Sequence, residues 1–115
     1  ISLHIPATAE TKGSINYALL SKMPKGGLLV NTARKEVINE AELIQFMQER
    51  QDFRYVTDIM PAADQKMTEL FESRYFATPK KMGAQTAEAN INAGIAAAKQ
   101  IVDFFQNGNT RFQVN

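Results

Sequence analysis

Short apolar runs alternate along this chain with segments of helical period, and that alternation leaves few folds open to it. Residues 1–5, 27–32, 53–59 and 75–78 read as strands, and 14–22, 40–50, 65–72 and 84–107 as helices, in the order βαβαβαβα. Leu28, Leu29 and Val30 form a continuous apolar stretch of the kind a parallel sheet buries on both faces. Strands that each lead into a helix predict a parallel sheet with right-handed crossovers, covered on both sides. Asn39 followed three residues later by Glu42 has the form of a capping box, ahead of a helix with Leu43, Phe46 and Met47 on one face. Along the last helix Ala87, Ile91, Ile95, Ala98, Val102 and Phe105 repeat at helical spacing, and Gly108 stands where it should stop. Its small residues from Ala93 to Ala98 predict a buried face that another backbone approaches closely.

With 44% hydrophobic and 22% charged residues in 115, the chain has enough apolar side chain for one core and too much for a disordered segment. Thirteen basic against twelve acidic residues leave a net charge of +1, which gives no broad surface for nucleic acid or an anionic membrane. There is no cysteine, hence no disulfide, thiolate nucleophile or sulfur-bound zinc, as suits a reducing cytoplasm. No apolar run approaches the length of a membrane span. The chain opens directly on a strand, as though a fold had been entered midway, and a fragment is the expectation.

In a parallel sheet, ligands gather beyond the carboxyl ends of the strands. That edge is expected to hold Pro6, the residues from Asn31 to Arg34, Asp58, and the turn from Pro79 to Gly83. Arg34 offers a rigid, permanently charged fork suited to the carboxylate of a 2-hydroxy or 2-keto acid. Alone, neither an arginine after a strand nor an aspartate opening a loop identifies a site, and adjacent lysines are ordinarily solvated.

Taken together the pieces resemble the D-isomer-specific 2-hydroxyacid dehydrogenases. Val30, Asn31 and Arg34, followed by Val37 and Glu40, are similar to that family's V-N-x-x-R and V-x-x-E. Ser2, Leu3, His4, Pro6, Thr8 and Thr11 resemble its S-L-H-x-P-x-T-x-x-T strand and loop, and Leu20, Lys22, Met23 and Gly26 the helix and turn ahead of the arginine strand. Thr78, Pro79, Gly83, Ala84, Thr86, Glu88 and Ala89 are similar to T-P-H-x-G-A-x-T-x-E-A. Phe104, Phe105, Gly108, Phe112 and Val114 resemble the terminus of the family's short phosphoglycerate dehydrogenases.

The resemblance implies an α/β fold: the C-terminal part of a Rossmann-type doubly wound parallel sheet, with the final helix and tail returning toward a substrate domain. Residues 1–106 would be the second half of an NAD-binding domain and 107–115 the tail. It implies NAD along His4, Pro6, Thr11, Thr32, Ala33, Arg34, Asp58, Gly83 and Ala84, no metal, and a homodimer formed through the cofactor domain. The implied substrate is a small anionic hydroxy acid, 3-phosphoglycerate, oxidised in serine biosynthesis. Arg34 falls on the residue that holds the substrate carboxylate and carbonyl oxygen, and Asp58 on the aspartate that accepts a hydrogen bond from the nicotinamide carboxamide. The family's G-x-G-x-x-G loop is absent from this sequence, so the chain by itself is expected to be inactive.

Two departures bear on the chemistry. Where the family has its histidine, Lys80, Lys81 and Met82 fill the stretch between Pro79 and Gly83, one residue longer than the motif. Counting from the proline selects Lys80 and counting back from the glycine selects Lys81; Lys81 is preferred, because the glycine and the helix start fix the geometry. His4 belongs to the cofactor-side motif and is expected to bond locally. At the spacing of the family's glutamate stands an alanine, with Asp64 one position late. A histidine base needs a carboxylate to fix its tautomer, whereas a lysine has no tautomer and a nearby carboxylate would favour its ammonium form. The alternative is a dehydrogenase-like corepressor that senses the dinucleotide without turnover.

Overall fold

Four short strands, Ser2–Leu3 (β1), Leu28–Asn31 (β2), Arg54–Thr57 (β3) and Tyr75–Ala77 (β4), pair in parallel in the order β1-β2-β3-β4. This computed structural model describes residues 1–81 and 86–114, which fall into two units, Ile1–Lys81 and Met82–Asn115. In the first unit the helices Tyr17–Leu20 (α1), Glu40–Glu49 (α2) and Asp64–Phe71 (α3) connect successive strands. The parallel α/β architecture is thus the one the alternation predicts.

Within the first unit, α1, α2 and α3 cover one face of the sheet. Every connection steps to the next strand in the same direction, and right-handed crossovers taken in one direction all lie on the same side. Alternate residues therefore divide: Leu29, Asn31, Tyr55, Thr57 and Tyr75 are buried, while Leu28 and Phe76, on the opposite face, are 41% and 59% exposed.

The core lies between that face and the helices. Phe46 of α2 meets Tyr17 and Phe53 edge to face at 5.8 and 5.0 Å, and Tyr55 stacks on Tyr75 across β3 and β4 at 5.8 Å. Each fully buried side chain of this kind is worth roughly 1.5–3 kcal/mol. Only the N-cap half of the expected capping box forms at α2: the Asn39 side chain accepts from Glu42 N at 3.3 Å and donates to Glu42 Oε1 at 2.6 Å, while the Asn39 backbone N–H goes to Ile15 O at 3.0 Å. Helix α1 is shorter than its apolar period, because Gly13 turns the chain at φ +66° and Ile15 then bridges to Ile38 in extended form. Asn16 caps what remains.

In the second unit Ala87–Asn107 (α4) opens on Thr86, whose side chain accepts from Ala89 N at 3.0 Å. It ends at Gly108, left-handed at φ +66°, a conformation that glycine adopts without strain. No residue of α4 is buried, against the expectation of a buried Ala-Gly face. Its apolar stripe has only residues 108–114 after it within its own unit, too few to form a covering layer. Among the described residues no helix is long and apolar enough to cross a membrane.

Candidate functional site

Asn31 ends β2 with its side chain fully buried, and both polar atoms of that side chain shape the turn beyond. Oδ1 accepts from Ala33 N and Nδ2 donates to Arg34 O, each at 3.0 Å. The end of β3 supports it from the side: Thr57 Oγ1 donates to Asn31 O at 2.9 Å and Asp58 N to the same oxygen at 3.2 Å. Asn31 and Thr57 are the buried polar residues of the core, and their hydrogen bonds offset their burial.

Beyond these strand ends lies an open cleft of about 360 Å³. His4, Ile5 and Pro6 line it from the loop after β1, Thr32, Ala33 and Arg34 from the turn after β2, and Lys81 from the segment after β4. Lys81 Nζ donates to Thr32 O at 2.9 Å and to Ala33 O at 3.4 Å. The exposed Arg34 guanidinium donates from Nη1 to that same Ala33 oxygen at 3.2 Å. One carbonyl thus sets a lysine amine beside an arginine fork, and no carboxylate among the described residues lines the cleft. Such a site attracts an anion. His4, which the sequence leads one to expect bonded locally, does pair its Nε2 with Ser2 Oγ at 2.8 Å, and also faces the cleft that Lys81 lines.

Other expected site residues stand apart. Thr11 donates from Oγ1 to Pro6 O at 2.6 Å and accepts from Thr8 N at 2.7 Å, so it closes the loop whose Pro6 reaches the cleft. Lys80 is exposed and does not line the cleft. Asp58 follows β3, half-buried, and its Oδ1 is buried with no hydrogen-bond partner among the described residues. Gly83 and Ala84 lie outside the described residues. Asp64 accepts from Tyr75 Oη at 2.6 Å; burial first, and then this carboxylate, push the Tyr75 hydroxyl well above the ordinary tyrosine range and keep it a donor. Glu40, at the position of the family's motif glutamate, accepts from Ala62 N at 3.0 Å and Ala63 N at 2.9 Å, tying the loop after β3 to the start of α2. Sequence reasoning placed Asn31 in the motif and at the sheet edge without giving it a role, and did not single out Thr57, for which a polar residue ending a buried strand was the available signal.

A guanidinium fork can hold a carboxylate while an amine meets a neighbouring hydroxyl. A parallel sheet carrying such groups past its strand ends is the ligand-binding edge of a dinucleotide-type α/β domain. The family model of the D-isomer specific 2-hydroxyacid dehydrogenase NAD binding domain matches residues 1–79, and the chain belongs to that family. It is 31% identical to the D-3-phosphoglycerate dehydrogenase of Haemophilus influenzae over its whole length, and 32% identical to that of Bacillus subtilis over 90% of it. A crystal structure of NAD+-bound 3-phosphoglycerate dehydrogenase from Entamoeba histolytica matches all of the chain at 56% identity, with a TM-score of 0.84. The chain spans 29%, 20% and 38% of those three proteins' lengths.

Proposed function

We propose that the protein is an NAD-dependent D-3-phosphoglycerate dehydrogenase, and that this chain forms the nicotinamide-side wall of its active site. The observation that carries the reading is the shared Ala33 carbonyl, which sets Lys81 beside Arg34 in a chain 56% identical to an NAD+-bound enzyme of that name. Arg34 pairs two N–H bonds with the substrate carboxylate. Lys81, as the neutral amine, takes the hydroxyl proton: the O–H bond breaks and an Nζ–H bond forms while the same carbon loses a hydride and becomes the carbonyl carbon. NAD, when bound, supplies the hydride acceptor. Lys81 is partly exposed, so its proton has a route to water.

The residues present fit the nicotinamide end of the cofactor. Among the described residues the buried Oδ1 of Asp58 meets no donor, and a carboxamide N–H would satisfy it. His4, Pro6, Thr32 and Ala33 would form the adjoining wall, with Thr11 holding the loop. The same reading takes residues 1–106 as the second half of the cofactor domain and 107–115 as a tail toward a substrate domain, with a homodimer formed through the cofactor domain. The 61% and 95% exposure of Phe112 and Val114 supports the tail assignment.

The test is turnover by the complete natural polypeptide, followed as NADH formed from D-3-phosphoglycerate. Oxidation of that substrate in preference to D-glycerate and D-lactate is expected. Dinucleotide binding with no turnover of any D-2-hydroxy acid would overturn the enzyme reading in favour of a sensor.

A further inference from the structure

Resting on the reading of Lys81 as proton acceptor, we infer that Asn31 is a positioning residue for that amine, acting through the main-chain carbonyls of Thr32 and Ala33. A neutral amine has two N–H bonds and one lone pair. Two carbonyl oxygens lie within reach of Nζ, Thr32 O at 2.9 Å and Ala33 O at 3.4 Å. They take both N–H bonds, and the lone pair is left for the cleft that Lys81 lines.

This does for a lysine what a carboxylate does for a histidine base, which needs its ring and tautomer fixed. Here Asp64, the nearest counterpart in sequence, is held by Tyr75, and no described carboxylate lines the cleft. Main-chain carbonyls, rather than a carboxylate, orient the amine.

The carbonyls point as they do because Asn31 grips their turn from both sides, at Ala33 N and at Arg34 O. Asn31 is itself fixed, buried at the end of β2 and bonded through its carbonyl to Thr57 and Asp58 N. Ala33 O also accepts from Arg34 Nη1, so the same turn sets the spacing between the carboxylate fork and the amine.

The experiment has two arms, both on the complete natural polypeptide. The first reads solvent exchange of the Lys81 ζ protons in protein labelled with ¹⁵N-lysine, the signal being identified by its loss in Lys81→Arg. Asn31→Ala should speed that exchange about 3- to 10-fold, as expected when one or two hydrogen bonds are lost. The second is a double-mutant cycle. Asn31→Ala should lower kcat by about 10-fold in the native background and by less than about 2-fold in Lys81→Ala, because the two residues act as one unit.

Unchanged exchange, or an equal loss of kcat in both backgrounds, would overturn the proposal and leave Asn31 a purely structural residue. Should Asn31→Ala not fold, Asn31→Ser is read by the same two arms, since its shorter, uncharged side chain cannot hold Ala33 N and Arg34 O together. Full turnover in Lys81→Ala would instead sink the base assignment itself, and the exchange arm would still decide the positioning.

Discussion

Replacing Asp58 with alanine should make the protein more stable and worse at binding NAD. The reasoning starts from one atom, Asp58 Oδ1, buried at the end of β3 with no partner among the described residues. An orphaned buried acceptor costs about 1–3 kcal/mol. Asp58 is half-buried, so part of its carboxylate stays hydrated, and about 1 kcal/mol at the low end of that range applies. In a domain of roughly this size 1 kcal/mol moves Tm by about 4–8 °C. Asp58→Ala removes the orphan and keeps the backbone bond from position 58 to Asn31 O, so Tm without cofactor should rise by about that amount. If the same oxygen receives the nicotinamide carboxamide, its loss removes a hydrogen bond to a charged acceptor, about 1.5–3 kcal/mol, or about 10- to 150-fold in Kd. Thermal unfolding with and without NAD, beside a calorimetric titration, measures both effects. A lower Tm with an unchanged Kd would refute the reasoning and make Asp58 a structural residue of the strand end.

Arg34→Lys should raise KM for the hydroxy acid well above the native value, with a smaller loss in kcat, because an ammonium cannot reproduce a two-pronged contact; steady-state kinetics across substrate concentration separates the two. Asn39→Ala should cost about 1 kcal/mol of stability by removing the α2 cap, read from urea denaturation midpoints. Asp52 is held well below the usual carboxylate range, first by Arg50 and then by Gly26 N, so its contribution to stability is present above the unfolded value near 4 and fades as pH falls through its folded value. Asp52→Asn should therefore lower Tm at neutral pH, and the difference from native should shrink in strong acid.

The strands were legible because each is an apolar run with β-formers bounded by turn residues, and Asn39 and Gly108 announced two helix ends through their capping chemistry. Which face of the sheet the helices of the first unit cover was not legible, because it follows from strand order, which period and composition do not encode. Helix α1 came out short because Ile15 is committed to Ile38, more than twenty residues away, and local period is blind to such a pairing. At the site, Arg34 stood out by charge and Lys81 by its place in a motif. Their meeting on Ala33 O did not, since any residue presents a carbonyl and nothing in the letters says which way it points. The pairing of Asp64 with Tyr75 was hidden for a similar reason, as it depends on α3 lying against β4.

The central claim is that Lys81 is the proton acceptor of a D-2-hydroxyacid dehydrogenase. Its most direct test is the hydride-transfer rate, by stopped flow, in the complete natural polypeptide carrying Lys81→Ala, Lys80→Ala or both. Lys81→Ala should slow that step by about 100-fold or more, with NAD affinity nearly unchanged, since positioned acid–base groups contribute about 10²–10⁴. Lys80→Ala should do much less. A native hydride-transfer rate in the double alanine variant would contradict the account and put the base elsewhere.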